Sequence, residues 1–128
     1  MQEKDLFEYA VIRVVPRVER EEFLNVGVIL YCAKQKFLNA ICRLDENRLL
    51  ALYGSTIDVE EIRENLNSFV KIALGGEDGG PIGALDMPSR FRWLTATRST
   101  VVQTSKVHPG FCADAQETLE RLHSQLVL

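Results

Sequence analysis

The sequence predicts an α+β fold, an antiparallel sheet of about four strands with helices packed on one face. Three observations lead there. β-branched and aromatic runs fill residues 7–44 with only short polar breaks, which favours strands. Two Asp-x-x-Glu strings then introduce segments whose apolar residues recur at helical spacing. A further β-branched stretch lies between those helices, so strands and helices are segregated rather than alternating as β-α-β units.

In residues 7–18, Tyr9, Val11 and Val15 alternate with Ala10, Ile12 and Val14, so both faces are apolar and a central strand is expected. Pro16 has no backbone donor and belongs at the strand's end or on a bulge, before the charged connection at 17–22. Residues 23–33 form the second arm of a hairpin, and residues 36–44 complete a three-stranded meander. Asp45 can cap a short helix through Leu52 that Gly54 ends. Asp58 with Glu61 caps a longer one, whose stripe runs through Ile62, Leu66, Phe69 and Ala73 to a stop at Gly75 and Gly76. Five glycines, two acids and a proline in residues 75–83 predict a mobile loop extending to about residue 88. Residues 90–95 fit either helix or strand, residues 99–107 read as the fourth strand, and Asp114 with Glu117 caps a C-terminal helix bearing Leu119, Leu122 and Leu126.

At 128 residues, with 46% hydrophobic content, the chain suits one domain, residues 1–128, folding alone or as a homo-oligomer. Cys32, Cys42 and Cys112 are odd in number and lack CxxC spacing, so they read as core thiols of a reducing cytoplasm. Neither a signal peptide nor an apolar run of bilayer length is visible, so a cytoplasmic, non-membrane protein is expected. Charge is uneven. Residues 87–113 carry Arg90, Arg92, Arg98 and Lys106 and no acid, leaving a net −7 on the remainder of a chain whose total is −3. A basic face of this kind suits an anion or an acidic partner. The acidic balance of the whole, with a pI near 5.4, argues against a dedicated nucleic-acid binder.

No pattern in the sequence assigns a reaction. The glycine-rich stretch lacks the Lys-Ser or Lys-Thr of a phosphate loop, and Glu77 and Asp78 would repel phosphate. His108 and His123 do not combine with the cysteines at zinc-site spacing, and Ser99 has no glycine-flanked elbow to make it a nucleophile, so neither metal, cofactor nor catalytic residues are expected. Binding candidates are clearer. Asn25 and Gly27, read as sharing one face of the second strand, fit either close approach by another backbone or a ligand, or a bulge with a satisfied amide. Arg13, in an apolar strand, needs a carboxylate or an anion, and Glu22 is the expected partner. Residues 90–108 are the richest segment. Arg90, Arg92 and Arg98 with Ser99 and Thr100 suit phosphate oxygens, Trp93 offers a stacking surface, and Gln103 and His108 follow.

Two strings carry a family resemblance: YAVIRVVPRVEREEFLNVGVIL at residues 9–30 and RFRWLTATRSTVVQTSKVHPG at residues 90–110. The chain resembles the bacterial family called domain of unknown function 3037, in which Asn25 and Gly27 match an Asn-hydrophobic-Gly string. Trp93 to Ala96 with Arg98 and Ser99 match a second string, and the chain departs from its relatives at Thr97 and Thr104, where Pro is common. The resemblance implies no reaction. It implies a partner, because members are commonly encoded beside a HipA-like serine/threonine kinase.

Two readings follow. One is a non-catalytic binding or regulatory subunit, with the kinase as partner and Trp93 within the basic segment as anchor. The alternative is a small enzyme or sensor that binds a phosphorylated ligand or nucleic acid through residues 90–108, with Arg98 holding the anion and His108 as acid or base.

Overall fold

The computed structural model describes residues 3–17, 20, 22–54, 57–96 and 100–128. The N-terminal apolar runs form the expected antiparallel meander, β1 (Asp5–Val14), β2 (Leu24–Cys32) and β3 (Phe37–Cys42), with β1 starting two residues earlier than predicted. Helices α1 (Glu46–Tyr53) and α2 (Val59–Leu74) follow. Their predicted caps are in place: Asp45 accepts the Arg48 N–H at 3.0 Å and Asp58 accepts the Glu61 N–H at 3.1 Å. The glycine-rich stretch carries a 3-10 turn, Glu77–Gly79, and one helical turn, α3 (Gly80–Gly83), joined across its mouth by a hydrogen bond from Gly76 N–H to the Gly83 carbonyl. The ambiguous segment is helical. It is α4 (Met87–Leu94), capped by Asp86, which accepts the Ser89 N–H at 2.9 Å.

Both β4 (Val102–Thr104) and β5 (His108–Cys112) pair with β1, so the sheet has a fifth strand beyond the four expected. The two are halves of one edge. β4 lies opposite residues 12–14 and β5 opposite residues 5–9, and between them the Ser105 hydroxyl accepts the Val11 N–H at 2.9 Å. β5 contains Pro109, which an edge strand tolerates because half of its backbone groups face away from the ladder. Helix α5 (Ala115–Leu126) closes the chain, with Asp114 accepting the Glu117 N–H.

The α+β class and the antiparallel sheet are as expected, but the helices are not confined to one face. Ala10, Ile12 and Val14 of β1 face a core built with Leu49 of α1, Ile62, Leu66 and Phe69 of α2, and Phe91 and Leu94 of α4. Phe7, Val28, Leu30 and Cys32 lie on the opposite side, against Ala115, Leu119 and Leu122 of α5. The reason is in the first two strands, which are apolar on both sides. A single helical layer would leave Val28 and Leu30 in water, at about 1.5–3 kcal/mol for each side chain that burial stabilises.

A β-bulge in β2 adjusts this two-sided pattern. Ile12 pairs with Gly27 and Arg13 with Asn25, so Val26 is an extra residue without a β1 partner. Leu24 and Val26 consequently lie with Ile29 in the α2 core, while Val28 and Leu30 lie under α5. Asn25 and Gly27 therefore face opposite sides, a correction to the shared face expected from strict alternation. Gly27 is fixed by its neighbour strand: a Cβ there would stand 2.4 Å from the Ile41 carbonyl oxygen and 2.9 Å from Cys42 Sγ. Gly27→Ala should destabilise the fold by about 1–3 kcal/mol through overpacking. Urea unfolding measures this, and an unchanged midpoint would contradict the close approach of β3.

Candidate functional site

The basic segment does not gather its side chains into one patch among the described residues. Arg90, half-buried on α4, donates from Nη1 to the Leu85 carbonyl at 2.8 Å and from Nη2 to the Ala73 carbonyl at 3.5 Å. It thereby serves a free carbonyl at the end of α2, where a cation is also favoured by the helix dipole. Its guanidinium lies over Gly75, whose φ of 81° suits glycine and whose missing Cβ leaves room for Cζ. Arg92 forks onto Glu8 of β1, with Nη1 and Nη2 each 3.0 Å from a carboxylate oxygen. That hydrogen-bonded pairing pushes the Arg92 pKa further up, although so exposed a pair contributes about 1 kcal/mol or less. Arg98 and Ser99 lie outside the described residues.

The remaining candidates divide among three places. Trp93 and Thr100 line one groove, described below. Asn25 and Gln103 are the cross-strand neighbours of Arg13 on either side of β1, forming a polar row on the α5 face. Gln103 Nε2 donates to the Thr100 carbonyl at 2.6 Å, and the Thr100 hydroxyl donates to the Val102 carbonyl at 2.7 Å, so these groups close a local turn. His108 is exposed on β5 and stacks at 5.4 Å on Tyr9. Arg13 does not meet Glu22, which binds Arg20 at 2.8 Å. Its guanidinium instead covers the Phe23 ring at 3.9 Å, and partial burial lowers its pKa.

The groove at Trp93 lies between α2, α4 and the approach to β4 and has a volume of about 240 Å³. Phe69, Ile72, Leu94 and Val102 give it an apolar floor. Asn65, Ser68 and Thr100 give it a polar rim, and Trp93, 39% exposed, forms one wall. Helical spacing explains the composition: Asn65 and Phe69, and Ser68 and Ile72, are each four residues apart, so all four lie along one edge of α2. Such a volume is small for a metabolite pocket and suits one or two inserted side chains. Asn65 and Ser68 carried no signal in the sequence, because polar residues of an amphipathic helix look like its solvated face.

A second cavity, of about 300 Å³, is lined by Leu24, Asn25, Val26, Arg43, Asp45, Arg48, Val127 and Leu128. Asn25 Nδ2 donates to the Leu126 carbonyl at 3.2 Å, tying the end of α5 to β2, while its buried Oδ1 has no partner. His123, one turn earlier on α5, is buried and its Nδ1 is likewise unpartnered. The three cysteines are free thiols. Burial pushes Cys42 up to about 12 and raises Cys112 as well, so neither is poised as a thiolate near neutral pH. Among the described residues no group of three or more His, Cys, Asp or Glu is placed to hold a metal ion, and no helix is long and apolar enough to cross a membrane.

In a comparison with known families, the model described as "Protein of unknown function (DUF3037)" aligns with residues 9–127. The chain belongs to the DUF3037 family. No curated protein and no solved structure matches it. In this DUF3037 chain the Asn-Val-Gly string that supported the resemblance is the β2 bulge itself. It sends Asn25 toward the end of α5 and brings Gly27 against β3.

Burial and then the charge of Arg43 lower the His123 pKa below its ordinary value of 6.5. The unfolded chain therefore takes up this proton more readily, and the stability present above the unfolded pKa is lost as pH falls through it toward the folded one. His123→Gln should flatten the rise of unfolding free energy between about pH 5 and pH 7. Urea titrations at stepped pH measure the slope; a slope equal to that of the parent would contradict a neutral, buried His123.

Proposed function

We propose that this DUF3037 protein is a non-catalytic binding or regulatory subunit that engages a protein partner through the Trp93 groove. The observation that supports it is the build of that groove: a half-exposed tryptophan beside an apolar floor within a rim of hydrogen-bonding side chains. Interfaces concentrate their binding energy in such arrangements, with Trp and Arg prominent among the contributing residues. The segment after Trp93 is also where Arg98 and Ser99 fall in the sequence, between two residues that line the groove. The partner to test first is a HipA-like serine/threonine kinase, which the family resemblance suggests through gene adjacency. A phosphate-binding reading of residues 90–108 has less to rest on, since Arg90 and Arg92 are engaged within the protein.

Co-expression with an adjacent HipA-like kinase should yield a complex that survives gel filtration. Trp93→Ala should weaken it by about 30-fold or more, the loss expected of a central hot spot. Ser68→Arg, which fills the groove from its rim, should do the same while leaving the fold intact. A complex indifferent to both substitutions, or no complex at all, would overturn the proposal.

A further inference from the structure

The cavity beside Asn25 shares no residue with the Trp93 groove and differs from it in charge. It opens where the start of β2, the residue after β3, the cap of α1 and the residues after α5 meet, with Arg43 and Arg48 among its lining. Neither guanidinium has an ion pair or hydrogen bond among the described residues, whereas Arg20, Arg63 and Arg92 each hold a carboxylate. Asp45 lines the same cavity. Asp45 accepts the Arg48 backbone N–H as the α1 cap, and Glu46 is bound by Arg63. Leu24, Val26, Val127 and Leu128 supply the apolar part of the lining, and the Asn25 amide secures it through its bond to Leu126.

We infer that Arg43 and Arg48 bind the oxyanion head, phosphate or carboxylate, of a small ligand whose apolar body rests on Leu24, Val26 and Val127. Two guanidinium forks match such a head through paired, charge-assisted hydrogen bonds. A volume of about 300 Å³ admits a head and one ring at the lower end of the range for small-molecule sites. The site needs no movement of the fold, because both arginines are exposed and α1 is capped through the Arg48 backbone, not its side chain.

Isothermal titration calorimetry of the full chain with phenyl phosphate, benzoate and inorganic phosphate tests this. One of the two aromatic anions should bind saturably and more tightly than inorganic phosphate, and which of them does so identifies the head group. Replacing both Arg43 and Arg48 by Ala should weaken that binding about tenfold or more, while Arg121→Ala, on the exposed side of α5, should leave it unchanged. In NMR titrations the His123 imidazole should move to a higher midpoint as the bound anion offsets Arg43. Three results would overturn the inference: no saturation by either aromatic anion at millimolar concentration, equal binding by the double variant, or a bound probe that leaves His123 unmoved.

Discussion

The pairing of β1 with β2 brings apolar side chains to both faces of the sheet, and this constraint determines where the helices go. Ile12, Val14, Val26 and Ile29 on one side call for α1, α2 and α4, while Val28 and Leu30 on the other call for α5. The bulge at Val26 is the point where the two requirements are reconciled. It lets Leu24 and Val26 join the α2 core without sacrificing the burial of Val28, at the cost of one unpaired position in the ladder. It also separates Asn25 from Gly27. Each then serves a different neighbour: Asn25 fastens the end of α5, and Gly27 admits the backbone of β3.

Both proposed binding places are by-products of this layering. The Trp93 groove lies where α2, α4 and the short strand β4 meet, with Phe69, Leu94 and Val102 contributed by the three in turn. The arginine-lined cavity forms at the other kind of boundary, where a strand end, a helix cap and the end of α5 come together and no element closes the gap. Two arginines of α4 are used for the fold instead. Arg90 satisfies carbonyls at α2 and the following turn, and Arg92 bridges α4 to β1 through Glu8.

Local chemistry was the legible part of the sequence. Asp45, Asp58 and Asp114 each announced a helix start because a cap depends on residues three apart, and each accepts the amide expected of it. Glycine at position 27 left close approach and a bulge open as alternatives, and the structure has both, the Ile41 backbone against Gly27 and a bulge at Val26. What escaped depended on distant partners. β5 was hidden because Pro109 and Gly110 look like a turn until the strand is known to lie at an edge. Arg92 gave no sign of Glu8, 84 residues away. Arg43 and Arg48 had no signal either, since an isolated arginine after a strand or in a short helix reads as solvated until the cavity between them is known.

The side-to-side division of the second strand is the most direct point to test. Nuclear Overhauser contacts from its valine methyls distinguish the alternatives, because a regular strand would place Val26 and Val28 on one side. The account predicts that Val26 shares contacts with residues of the α2 core such as Ile62 or Leu66, and Val28 with Leu119 of α5. Contacts from both valines to the same helix would contradict the bulge and, with it, the separation of Asn25 from Gly27.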